Sequence, residues 1–229
     1  MIRVRELGDD LIFNGTAPWF TGWGAMNHVV LGGTLEDGRL AYVVVPVESS
    51  DHMCVSEPMR LCAMNASGTV SLTCRDLRVG KDRLMKIITR EQMAQNDVAA
   101  ILAPLSQPFG VIAASMDHLR SLGRSRADRA ADSLEAQLSN LRAEAETWYD
   151  RTSAAHFKEN ALRIRACGIT LGVRAAHAAV TAAGGRANSL DSPAQRLFRE
   201  AMFYTLTAQT PDVQTATLDH IAEPESAIR

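Results

Sequence analysis

One carboxylate in this chain holds a candidate catalytic position. It lies in Gly184–Gln214, GGRANSLDSPAQRLFREAMFYTLTAQTPDVQ. The pair Gly184-Gly185 closes a long helical pattern, and a short polar link carries Asp191. A new helix then begins: Ser192 fits the N-cap, Pro193 the first helical position, and Gln195 the place of a capping-box partner. Asp191 therefore sits just outside a helix N-terminus, where exposed amides favour an ionised carboxylate or a bound anion. An acid held there after a flexible glycine pair fits a catalytic position. Spacing alone is also met by an ordinary helix–loop–helix turn with a surface Asp, the commoner case. A second start signal, Thr210-Pro211, follows.

Other chemistries are disfavoured. Cys54, Cys62, Cys74 and Cys167 form no C-x-x-C pair and no histidine clusters beside them, which argues against zinc. His28, His52, His118, His156, His177 and His220 are scattered and read as ordinary surface or satisfied side chains. There is no P-loop, G-x-G-x-x-G or G-x-S-x-G. A net charge of -2 gives no electrostatic reason to expect nucleic acid or an anionic membrane. The N-terminus MIRVRELGDD has no signal-peptide h-region, and no uninterrupted apolar run reaches the roughly 18 residues of a membrane span. The expectation is a reduced, cytoplasmic protein. At 229 residues and 46% hydrophobic, the chain can build one large or two small cores.

The elements that must position Asp191 fall into two parts. Residues 1–85 read as β. Ile2–Leu7 and Leu11–Asn14 flank the turn Gly8-Asp9-Asp10, and Asn14-Gly15 marks another turn. Asn27–Gly33 and Arg39–Val47 are joined by the hairpin signal Glu36-Asp37-Gly38. The run Val43-Val44-Val45 predicts a strand covered on both faces, whereas Thr69–Leu77 alternates as a strand with one wet face. Residues 86–229 read as helices. One covers Val98–Leu122 with Pro104 and Pro108 near its start, and a second begins at Ser125 and carries Leu134, Leu138, Leu141, Ala145 and Trp148. A third, Ser153–Ala183, has small residues at Ala161, Gly168, Gly172, Ala175 and Ala179 for close helix approach, and the Ser192 helix is the fourth. The tail Glu223–Arg229 reads as frayed. The predicted class is α+β: a small antiparallel β-barrel or sandwich followed by an antiparallel four-helix bundle.

Two stretches carry a family resemblance. Asn14-Gly15-Thr16-Ala17-Pro18-Trp19-Phe20-Thr21-Gly22-Trp23-Gly24 resembles the N-G-x-K-x-W-I-T-N-G segment of the acyl-CoA dehydrogenase family. The stretch Gly184–Gln214 is similar to that family's G-G-x-G-Y-x-x-E-x-P-x-x-R-x-x-R-D-A…E-G-T-x-x-I-Q. The resemblance implies that Trp19 and Thr21 lie against a flavin ring and that Gly184 and Gly185 lie near the nucleotide portion. Thr210 and Gln214 fall on the Thr and Gln of the last motif, Arg199 on the arginine of R-D-A, and Asp191 on the glutamate that acts as base. It also implies FAD, an acyl-CoA or carrier-bound acyl thioester as substrate, and electron-transferring flavoprotein as acceptor.

The chain departs from the family pattern in several places. Asp191 is one methylene shorter than Glu, GRSRADR at Gly123–Arg129 stands where R-x-F-G is expected, and Ala208-Gln209 replaces Glu-Gly. The family's N-terminal helical domain has no counterpart ahead of the β-region. The expectation is a flavoprotein subunit for α,β-dehydrogenation that works as a homo-oligomer or with a complementary dehydrogenase subunit. The alternatives are a non-catalytic partner subunit of a true dehydrogenase, or the fold reused without flavin for a non-redox reaction.

Overall fold

A computed structural model describes residues 1–223; the expectation of a frayed tail falls, from residue 224 on, outside the described residues. The chain divides into two compact units, one ending at Gln95 and one beginning at Asn96.

The first unit is a seven-stranded sheet in the order β5-β6-β2-β1-β3-β4-β7. Strands β1 (Arg3–Leu7) and β2 (Asp10–Phe20) form a hairpin across the expected Gly8 turn. β3 (His28–Leu35) and β4 (Leu40–Pro46) form the second, with Gly38 at φ 87° where a left-handed turn residue is required. β5 (Met53–Val55) and β6 (Val70–Gly80) pair on one flank, and β7 (Leu84–Ile88) pairs with β4 on the other.

The sheet is mixed, not antiparallel throughout, because β1 runs parallel to β3. β6 already occupies the far side of β2. The chain therefore crosses over through residues 21–27, and β3 enters beside β1 in the same direction. The core consists of Val4, Leu11, Phe13, Leu31, Val43, Leu72, Cys74 and their neighbours. In β4 only Ala41, Val43 and Val45 are buried; Val44 is half-buried, so the valine run does not mark a strand covered on both faces. β6 alternates as expected, with Val70, Leu72 and Cys74 inward.

Asn14-Gly15 is not a turn. It lies inside β2 opposite a bulge in β6 at Arg75-Asp76, where Asp76 has φ 46°. The Asn14 side chain bridges the bulge: its Nδ2 donates to Asp76 Oδ1 at 2.8 Å, and its Oδ1 accepts from the Asp76 amide at 2.8 Å. Gly15 admits the chain start, since a Cβ there would lie 2.4 Å from the Met1 carbonyl oxygen.

Helix α1 (Arg90–Ala99) starts earlier than the predicted Val98. Thr89 and Gln92 form a reciprocal capping box: the Thr89 amide donates to Gln92 Oε1 at 2.9 Å and the Gln92 amide donates to Thr89 Oγ1 at 3.2 Å. After a break containing Pro104, the helical unit has five helices among the described residues: α2 (Ser106–Ser121), α3 (Ser125–Glu146), α4 (Phe157–Ala183), α5 (Pro193–Leu206) and α6 (Pro211–Ala222). Pro108 is accommodated in the first turn of α2.

α4 is the central rod, packed against all four others. The small-residue stripe on α4 is buried, and its role is visible at Gly168, where a Cβ would meet Leu105 Cδ2 at 2.5 Å. Leu134, Leu138, Leu141 and Ala145 of α3 bury as predicted; Trp148 lies beyond the helix end and packs at 6.4 Å from Phe157. Two helical stretches, Arg90–Ser121 and Phe157–Asn188, are apolar and long enough to cross a membrane by length and composition. The first is broken between α1 and α2, and both contribute core side chains to the helical unit.

Candidate active site

In the sheet unit the residues singled out from the sequence lie at the end of β2. A second bulge, between Ala17 and Phe20, puts Pro18 and Trp19 out of the ladder. A proline fits there because a bulge needs no ladder amide. The Trp19 indole is 66% exposed. Thr21 is also exposed, but its hydroxyl is held: Thr21 Oγ1 lies 3.0 Å from Thr69 Oγ1, and Thr69 Oγ1 lies 2.8 Å from Ser67 Oγ. Thr69 itself is buried. The backbone fixes the same corner, with the Gly22 amide donating to Ser67 O at 2.9 Å and the Trp23 amide to Gly68 O at 3.1 Å. Trp23 stacks edge-on against Phe20 at 6.5 Å. The corner thus presents an apolar aromatic surface and an anchored hydroxyl.

In the helical unit the α4–α5 link carries the rest. α4 ends at Ala183, and Gly184 caps it at φ 64°, ψ −147°, a conformation nearly restricted to glycine, with its amide donating to Val180 O. A single 3-10 turn, Gly184–Asn188, follows. A Cβ on Gly184 or Gly185 would meet nothing within 4 Å, so the space over the link is open. Arg124, between α2 and α3 in the GRSRADR segment that runs on into α3, donates through Nη1 to Ala182 O at 3.0 Å. That bond brings a basic segment beside the glycine pair.

Asp191 is exposed, its carboxylate without a partner among the described residues, while its amide donates to Ser189 Oγ at 3.3 Å. Ser192 is the N-cap of α5 with Pro193 next, as the sequence indicates, but its side chain makes no capping bond. The Ser192 amide is already given to Ser189 O at 3.1 Å, so Gln195 has no amide to reach back to; Gln195 Oε1 is buried without a partner. Thr210 caps α6, its Oγ1 accepting from the Val213 amide at 3.3 Å. Gln214, one turn on, is exposed.

Sequence reasoning missed Arg165, which is fully buried in α4. Its Nη2 donates to Thr207 O at 2.9 Å, at the C-terminal end of α5, where a cation suits the carbonyl dipoles. Burial pushes the Arg165 guanidinium down to about 10, with nearby Tyr149 acting the other way. Arg165 therefore pins the corner leading into Thr210. A separate groove of about 560 Å³ runs between α3, α4 and α6, lined by Asn140, Arg163, Cys167, Arg174 and His220 among others. Burial, then Arg174 and Arg163, hold the His220 imidazole below its usual range.

No sequence-family model matches the chain, and none of the curated proteins matches it. Solved structures do match. Butyryl-CoA dehydrogenase from Megasphaera elsdenii superposes with a TM-score of 0.78 at 14% identity, over 97% of this chain and 63% of that one. A glutaryl-CoA dehydrogenase from Mycobacterium smegmatis, solved in complex with FADH2, gives 0.76 at 14% identity, over 100% of this chain and 62% of that one. The flavoprotein nitroalkane oxidase gives 0.76 at 12% identity, over 99% and 64%.

The chain has the acyl-CoA dehydrogenase fold. It spans under two thirds of the length of these dehydrogenase-fold structures. A flavin ring requires flat apolar surface and a hydrogen-bonding group beside it. The exposed Trp19 and the anchored hydroxyl of Thr21 fit that requirement. The space over Gly184-Gly185 is open, and Arg124 beside it is a positive charge that suits an anionic group.

Proposed function

We propose that the chain is an acyl-CoA dehydrogenase-like flavoprotein subunit acting on an acyl thioester. The observation that carries this reading is the agreement of nearly the whole chain, sheet unit then helices in the same order, with enzymes of that fold. On this reading the sheet is the barrel-like middle module, α2–α5 are the four-helix bundle, and α6 is an addition to it. Trp19 and Thr21 hold the flavin ring. Gly184, Gly185, Thr210 and Gln214 hold the nucleotide end. FAD, when bound, supplies the hydride acceptor. Asp191 takes the acyl α-proton, which the thioester carbonyl acidifies, and the carboxylate becomes the neutral acid. Electrons leave to an electron-transferring flavoprotein, and the subunit works in the cytoplasm as an oligomer, with itself or with a dehydrogenase chain.

A second reading, a non-catalytic partner of such an enzyme, is favoured by the solvent exposure of Asp191. Anaerobic addition of a panel of acyl-CoAs to the FAD-loaded protein separates the two. Bleaching of the flavin that is lost in Asp191→Asn supports the first. No bleaching by any acyl-CoA, or bleaching untouched by the substitution, rejects Asp191 as base.

A further inference from the structure

The corner beside Trp19 holds more than one exposed hydroxyl. Ser67, Thr69 and Thr21 form an unbroken chain of hydroxyls that begins in a half-buried loop and ends at the surface. Thr69, at its centre, is only 4% exposed. A hydroxyl carries one hydrogen, so Thr69 can donate to only one of its two neighbours and must accept from the other. The three protons are therefore correlated. With an acceptor in front of Thr21, Ser67 donates to Thr69, Thr69 to Thr21, and Thr21 outward, and each bond polarises the next. The loop is held to this geometry by Gly68, where a Cβ would lie 2.5 Å from the Trp23 carbonyl oxygen, and by the two amide bonds from Gly22 and Trp23.

We infer that Thr69 is a positioning residue: through Thr21 it fixes the direction in which the sheet unit offers a hydrogen bond to a heteroatom of a planar aromatic ligand seated on Trp19. The inference rests on the reading above only in identifying that ligand as FAD. Sequence patterning hides the role, because Thr69 looks like any residue opening a β-strand.

FAD titrated into the full chain, followed by flavin absorbance and fluorescence, tests it. Thr69→Val keeps the shape and removes the hydroxyl. It is expected to weaken FAD binding about two- to tenfold and to shift the visible bands of the bound flavin. Thr69→Ser is expected to restore both. In a Thr21→Val background, Thr69→Val is expected to add nothing, since its effect passes through Thr21. Ser67→Ala, farther from the ligand, is expected to shift the bands in the same direction and less, and it decides the matter if Thr69→Val does not fold. Wild-type bands and affinity in Thr69→Val, or in Ser67→Ala if that variant must serve, overturn the inference and leave the flavoprotein reading standing. A wild-type chain that takes up no FAD overturns both.

Discussion

Asp191 and Arg165 show how differently two charged residues can be placed on neighbouring elements. Asp191 is on the surface with a free carboxylate, and Arg165 is sealed in the helical core. If Asp191 is the base, Asp191→Asn lowers turnover on the order of 100- to 10,000-fold, while FAD binding is unchanged. Restoring the missing methylene with Asp191→Glu is expected to keep activity measurable, because reach is what the shorter acid lacks. Arg165 makes a stability prediction. Arg165→Ala removes both the bond to Thr207 O and a buried aliphatic stem, and is expected to cost about 2–4 kcal/mol in denaturant unfolding. Arg165→Met, which fills the space, is expected to cost clearly less.

His220 adds a pH signature. Its folded-state affinity for a proton is lowered below the usual 6.5, so the unfolded state binds the proton first. Stability from this group is complete above that value and falls as the pH drops through it toward the lower folded value. Thermal melts from neutral to acidic pH should show a loss that is smaller in His220→Gln. The places of Asp191, the glycine pair and Thr210 at helix ends were legible in the sequence because local rules set them. The contacts of Arg165 and Thr69 were not, because their partners lie 42 and 48 residues distant in sequence.

At the scale of elements, the strands and helices were legible where pattern and punctuation agreed. The Gly38 hairpin, the alternation of β6 and the leucine stripe of α3 are examples. They failed where a bulge imitates a turn. Asn14-Gly15 has turn chemistry, yet Asn14 spends its amide bridging the Asp76 bulge across the sheet. β7 was hidden because its five residues, LMKII, do not alternate, follow the charged Lys81-Asp82-Arg83 turn and run into a helix start. The parallel β1–β3 pair could not be read locally, since it follows from which flank of β2 is already taken. The loop that carries Thr69 gives a test at this scale. Gly68→Ala places a methyl against the Trp23 carbonyl at a φ of 59°. It is expected to destabilise the sheet unit by about 2–4 kcal/mol and to release the 21–26 corner. Amide hydrogen exchange should show the loss of protection at Gly22 and Trp23 together.

For the whole molecule, the order of a sheet unit and a helical unit was legible from composition: β-branched runs give way to alanine, leucine and arginine after about residue 80. Four helices were expected and six are present among the described residues: α1 lies ahead of the expected start at Val98, and α6 follows the start signal Thr210-Pro211, which was legible but not counted as a further helix. The fold agrees with acyl-CoA dehydrogenases over nearly the full chain, and nitroalkane oxidase superposes with a TM-score of 0.76. Fold alone therefore does not choose the substrate, and the site residues must. The flavoprotein reading requires this chain to hold a flavin. Its most direct test is the absorption spectrum of the purified chain after incubation with FAD and removal of unbound cofactor. Retained flavin bands close to one per chain, lost when Trp19 and Thr21 are replaced together by alanine and valine in a variant that still unfolds cooperatively, are the predicted result. A colourless wild-type protein at saturating FAD would rule that function out.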